Sequence, residues 1–292
     1  MSPIESSMVF ISIVAVGYLA KVYGALTDEG KKHLTKVLFY ILLPALVASG
    51  VMKAPLSKDT LYVFLASLVL TSLLWYVLWK VLGLVYDRKT ASLLAMATTI
   101  GNTGFLGFPL VFRMLGENAM PYAVSFSIGQ SIVLLTLIYP SLGGQFHWRR
   151  LLSPPLVGML LGFAIKLIPF MPQVAWNVIL DFLSMLGSAS GPLVMLIIGA
   201  SLGSITVKPY DAVVVSIKTF LVPLIFYFSL MPFVGDLPLK AATLEASTPT
   251  LMGAPIYAAM AGLSEEETSR IVTVSTAFFL ILLPAIGWIL GG

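Results

Sequence analysis

The chain contains no cysteine, which excludes disulfides, thiolate metal sites and cysteine nucleophiles and leaves the compartment open. It has two histidines, His33 and His147, and both are read as loop residues. Charged residues make up 10% of the 292 residues, against about 25% in a soluble domain. The net charge is only +4, so nucleic acid is not a partner. Against these shortages stand a hydrophobic content of 58% and a mean hydropathy of +0.98. That leaves too little polar surface to coat a water-soluble globule, which excludes a cytosolic enzyme, and too much apolar surface for disorder.

What the chain has in quantity is apolar runs. A helix needs about 20 mainly apolar residues to cross a hydrocarbon core of about 30 Å. Ten such runs occur, at 6–24, 31–52, 60–84, 90–115, 119–140, 153–170, 175–203, 210–233, 239–262 and 268–290. The fold class is therefore an all-α polytopic membrane protein of ten spans with short loops and no soluble domain. Span 1 has no basic segment before it and no small-residue cleavage pattern before Lys21, and reads as a retained helix. Lys and Arg are asymmetric. Eleven flank the loops after odd-numbered spans (Lys21, Lys31, Lys32, Lys36, Lys80, Arg88, Lys89, Arg149, Arg150, Lys208, Arg270), and four the opposite side (Lys53, Lys58, Arg113, Lys240). Lys166 and Lys218 read as intramembrane. The asymmetry puts the odd loops in the cytoplasm and both termini outside it, in the cell membrane. The basic clusters are read as topology signals without a binding role.

The spans repeat. Pro44 in span 2 has a twin, Pro192, in span 7. Gly17-Tyr18-Leu19-Ala20-Lys21 ends span 1 and Gly162-Phe163-Ala164-Ile165-Lys166 ends span 6. Gly107-Phe108-Pro109 in span 4 matches Gly253-Ala254-Pro255 in span 9. Together they keep nearly one offset, giving two five-helix repeats, 1–145 and 150–292. Five is odd, so the second repeat is inverted, which is a transporter signature. Duplication without alternating access, as in some channels, is the competing explanation.

Spans 4 and 9 are interrupted at matching places. Span 4 carries Gly101-Asn102-Thr103-Gly104 and then Gly107 and Pro109; span 9 carries Pro249-Thr250 and then Gly253 and Pro255. These are poor materials for a continuous helix. Unpaired backbone at membrane depth must line a cavity or be packed in protein, and paired broken helices point to a transporter's binding site. Gly101, Gly107, Pro109, Gly253 and Pro255 make the breaks. Asn102, Thr103, Gly104, Pro249 and Thr250 are the candidate substrate contacts, and Gln130 joins them, although an interhelical hydrogen bond explains it equally. Ser127, Ser275 and Thr276 are read as packing groups. Glu245 is the one acid well inside a span, four residues before Pro249, and Lys218 in span 8 lies within reach. Two readings stay open for this pair: a structural role, as an ion pair or with the carboxylate reaching the outer interface, or coupling, in which Glu245 takes a proton or yields Lys218 to the substrate.

The run Gly101-Asn102-Thr103-Gly104-Phe105-Leu106-Gly107-Phe108-Pro109-Leu110 resembles the fourth-helix motif of the auxin efflux carrier family. Pro249 and Pro255 resemble the two prolines of its ninth helix. Gln130-Ser131-Ile132 followed by Thr136-Leu137 resembles its fifth-helix stretch. The resemblance covers essentially the whole chain. It implies a bile-acid-symporter-like fold, with spans 1, 2, 6 and 7 as a scaffold that forms a homodimer. Spans 3–5 and 8–10 would form a moving, elevator-type domain. It also implies an organic anion as substrate: auxin in plants, dicarboxylates in microbes. The chain departs from the plant carriers in a short central connection (141–152), Leu135 for an aromatic residue, Gly101 for Pro, and no acid in residues 61–79.

An enzyme would need a nucleophile–base pair, paired acids or a metal cluster within the spans, and neither histidine nor a paired acid is placed there. No cofactor is expected. The expected partners are a small organic anion, the lipid bilayer and a second copy of the chain. A sodium-coupled symporter, with Glu245, Thr248 and Gln130 among its oxygen ligands, and a membrane sensor of the same fold are the alternatives.

Overall fold

The computed structural model describes residues 3–53, 57–144, 154–202 and 207–291. His147, Arg149, Arg150 and most of the central connection lie outside these. The described chain is helical throughout: α1 (Pro3–Val22), α2 (Asp28–Lys53), α3 (Lys58–Leu82), α4 (Arg88–Thr99), α5 (Thr103–Leu115), α6 (Glu117–Ser141), α7 (Pro154–Lys166), α8 (Gln173–Ser201), α9 (Pro209–Leu230), α10 (Asp236–Ser247), α11 (Ala254–Ala261) and α12 (Glu265–Gly291). Seven are long and apolar enough to cross a membrane: α1, α2, α3, α6, α8, α9 and α12. α5 and α7 are shorter apolar helices.

Proline sets the local form of several helices. Wide, π-type turns occupy Leu38–Leu42, Thr103–Gly107, Leu134–Ile138 and Ile217–Leu221, and each is followed two residues on by a proline: Pro44, Pro109, Pro140 and Pro223. A proline in a helix has no N–H to donate and its ring crowds the carbonyl four residues back. Widening the preceding turn by one residue relieves both problems without ending the helix. Pro192 behaves differently. It follows a kink in α8 at Ala189, where the backbone N–H turns to the carbonyl of Leu186.

Close packing rests on glycine. A β-carbon on Gly17 of α1 would strike the backbone of Leu196 in α8, and one on Gly199 would strike Val14. Gly158 and Gly162 of α7 meet Pro44 and Ala48 of α2 in the same way. Small residues that let backbones touch are the usual device where lipid supplies no hydrophobic drive between helices. On the other side, α3 packs on α6, where Ser67 Oγ donates to the Phe126 carbonyl at 2.6 Å. Phe126 in turn packs on Phe226 of α9. The central core is apolar and nearly sealed, with Leu43, Leu46, Phe108, Phe126, Phe226 and Phe279 all buried.

Among the described residues three ion pairs tie helix ends, one of them Lys208, just before α9, with Glu267 of α12 at 3.0 Å. Lys53, at the end of α2, meets Glu117 at the start of α6. Asp211 of α9 meets Arg270 of α12 at 2.8 Å. Lys166 is the last residue of α7, and its Nζ donates to the Val51 carbonyl at 3.3 Å. It therefore sits with Lys53 at the end of the bundle away from the start of α2.

Candidate functional site

The interruptions in the sequence are real breaks, and they meet. α4 stops at Thr99 and α5 starts at Thr103; α10 stops at Ser247 and α11 starts at Ala254. Between them Gly101 and Thr250 form an antiparallel bridge, the one strand-type pairing among the described residues. Asn102 N–H donates to the Pro249 carbonyl at 2.8 Å, and Leu251 N–H to the Ile100 carbonyl at 3.1 Å. Buried backbone must be paired, and each break supplies the partners that the other lacks.

Side chains complete the crossing. Gln130 of α6 accepts from Gly101 N–H through Oε1 at 3.0 Å and donates from Nε2 to the Thr99 carbonyl at 3.2 Å. One amide thus satisfies both edges of the first break. Thr250 donates its hydroxyl to the Ala97 carbonyl at 2.8 Å, and its N–H goes to Ser275 Oγ at 2.9 Å. Thr103 and Ser127 share a hydroxyl hydrogen bond of 2.7 Å. Ser127 and Ser275, read from sequence as packing groups, are therefore structural partners of the breaks. The signal available for Ser275 was a hydroxyl pair, Ser275-Thr276, in the middle of an apolar run.

Lys218 and Glu245 are both fully buried. No ion pair joins them among the described residues. Lys218 Nζ instead donates to the Ala246 carbonyl at 3.1 Å, at the end of α10, where the helix dipole is negative. It also faces Gly101, whose added β-carbon would lie 3.2 Å from Nζ. The Glu245 carboxyl lies against Gly107 of α5, and neither oxygen has a hydrogen-bond partner. The structural ion pair is thus not formed, and the carboxyl points across the crossing toward α5, buried away from either surface.

Of the expected contacts, Gln130, Thr250 and the Pro249 carbonyl are spent within the protein. Asn102 is buried with its Oδ1 unpartnered. Gly104 borders open space: a β-carbon there would meet nothing within 4 Å. Phe105 beside it stacks on Phe39 of α2, ring centroids 5.1 Å apart. Next to the second break lies a cavity of about 860 Å³, whose inner wall includes Met252, Pro255 and Thr276. It extends between α8 and α12 to the start of α2, where Lys32, His33 and Lys36 line it. The basic residues of this loop, taken from sequence only as topology signals, are cavity wall.

A family model described as "Membrane transport protein" matches residues 4–144 and 140–287, in agreement with the auxin-efflux-carrier resemblance. The chain is 27% identical to a protein of Methanocaldococcus jannaschii named as an uncharacterized transporter, over 99% of both chains. It is also 27% identical to a similarly named protein of Methanothermobacter thermautotrophicus, over 97% of each. A Rhizobium meliloti protein named "Putative malonate transporter" is 24% identical, over 91% of this chain and 89% of its own.

Proposed function

The chain belongs to the membrane transport protein family, and from that premise we propose that it carries a small organic anion, a carboxylate, across the cell membrane by alternating access. The observation behind the reading is the crossing of two broken helices, bridged from Gly101 to Thr250, beside a cavity that reaches the second break. The half-helices α5 and α11 begin there. Their first amides and positive dipole ends favour an anion. Asn102, Thr103 and Gly104 supply the contacts at the first break, and the residues around Gly253 those at the second. Gln130, Pro249 and Thr250 hold the geometry. Glu245 and Lys218 are the coupling groups, a carboxyl without a donor and an ammonium on a helix end, between which charge is rearranged during the cycle.

In this reading the halves 1–145 and 150–292 are inverted repeats forming ten spans, with both termini outside the cytoplasm. Helices α1, α2, α7 and α8 form a scaffold that pairs with a second copy, and the remaining helices move against it as an elevator. The name of the rhizobial relative makes malonate the first substrate to test. Lys218 bears on the sodium alternative. A hard cation needs several convergent oxygens, and the ammonium already holds the Ala246 carbonyl at the end of α10. The decisive experiment is uptake of labelled malonate and related carboxylates into proteoliposomes, with and without a sodium gradient. Saturable flux independent of sodium is expected. Tight binding without flux would favour a sensor, and strict sodium dependence the symporter.

A further inference from the structure

The cavity of about 860 Å³ beside the second break has an unusual wall. Lys32 and Lys36 lie one turn apart on α2, so their like charges oppose helix formation. Lys31 differs from both, since Asp28 holds it at 3.0 Å. Among the described residues, Lys32 and Lys36 have no ion-pair partner, and both line the cavity with His33. Glu29, also on the wall, lies in the first turn of the helix, where an acidic charge serves the N-terminus. Deeper in, the wall turns apolar at Ile197 and Met252 and hydroxylic at Thr273 and Thr276. The mouth is net positive, with Lys32 and Lys36 against Glu29, and a cleft with a net charge and low-dielectric walls concentrates counter-ions. About 860 Å³ falls within the range of small-molecule sites, roughly 300–1,000 Å³.

We propose that Lys32, Lys36 and the cavity they line form an anion-collecting vestibule, a second, outer site that holds a small soluble carboxylate before it reaches the crossing of the broken helices. This rests on the transport reading for the identity of the anion, but not for its charge. The vestibule serves one face only, because the opposite end of α2 is tied to α6 by Lys53 and Glu117. Substrate arriving from the Lys32 side is concentrated, and substrate from the other side is not.

The absence of cysteine allows a direct test. Ser201, on the cavity wall, is changed to cysteine in the full chain, reconstituted in neutral phosphatidylcholine vesicles. Its reaction rates with an anionic and a cationic methanethiosulfonate are then compared. The anionic-to-cationic ratio is expected to fall by at least about tenfold when Lys32→Gln and Lys36→Gln are added. Malonate is expected to slow the anionic reagent only while both lysines are present. A ratio unchanged by the lysine substitutions would overturn the proposal. So would slowing of the anionic reagent by anionic lipid that malonate does not reproduce in neutral vesicles, which would assign the lysines to headgroups. The transport arm is separate: the double variant should raise KM for malonate presented at the lysine face and leave the other face unaltered. If the wild-type chain moves no carboxylate, the transport reading fails, and the reagent ratio still decides the vestibule.

Discussion

The carboxyl group of Glu245 occupies the space that a β-carbon on Gly107 would need. One residue ends the first half of one broken helix and the other begins the second half of its partner, so this contact joins α10 to α5. Gly107→Ala forces the carboxyl aside, and such overpacking costs about 1–3 kcal/mol. The expected result is a lower melting temperature, restored when Glu245→Ala is added. Glu245→Gln keeps the shape, loses no hydrogen bond among the described residues, and should fold normally. If the carboxyl couples transport, this variant flattens the dependence of flux on pH. Unaltered flux and pH dependence would make Glu245 structural.

Gln130 is a different kind of residue from Asn102, and the difference is measurable. Gln130→Ala leaves Gly101 N–H and the Thr99 carbonyl without their partner, each a buried group whose loss costs about 1–3 kcal/mol. Stability and transport should fall together. A Gln130→Ala protein with unchanged melting temperature would show that the crossing is held by other means.

Lys53 and Glu117 meet across α2 and α6 at the end of the bundle opposite the cavity. If α2 is scaffold and α6 moves, this pair must separate in each cycle. A disulfide between Lys53→Cys and Glu117→Cys should abolish flux, and reduction should restore it. Cysteine at Ser201 should stay reactive in the cross-linked protein. Flux that survives complete cross-linking would place both helices in one rigid body.

The orientation is testable in the same cysteine-free background. The basic residues stand eleven to four in favour of the odd loops. Cysteine at Lys58 should react with impermeant reagents added to intact cells, and cysteine at Arg88 only after permeabilisation. The reverse pattern would invert the topology.

The breaks were legible in the sequence because their cause is local. Gly101, Pro249 and Gly253 fall within the breaks themselves, whereas Gly107, Pro109 and Pro255, expected to make the breaks, lie inside α5 and α11 near their starts, where a proline's missing N–H costs little. How the breaks are satisfied was not legible. Thr250 takes Ser275, 25 positions away, and Ala97, 153 positions away. No periodicity encodes such pairings. Lys218 and Glu245 were readable as charges that need an explanation, and reach alone suggested that they pair. The wide turn at Ile217–Leu221 carries Lys218, and its Nζ goes to a carbonyl instead. The lysines of the first loop satisfied the charge rule for topology, which masked their second position on a cavity wall. That position depends on how α2 leans against α8 and α12.

The central claim is that the meeting of the two breaks binds an organic anion, and Asn102 tests it most directly. Asn102 is buried, its Oδ1 has no partner, and it immediately precedes the first residue of α5. The measurement is labelled malonate binding and uptake by reconstituted wild-type and Asn102→Ala protein, with the melting temperature of each. Losing one hydrogen bond to a charged ligand costs about 1.5–3 kcal/mol, so the affinity should weaken at least about tenfold while the melting temperature holds. Unchanged malonate affinity in a normally folded Asn102→Ala protein would contradict the account.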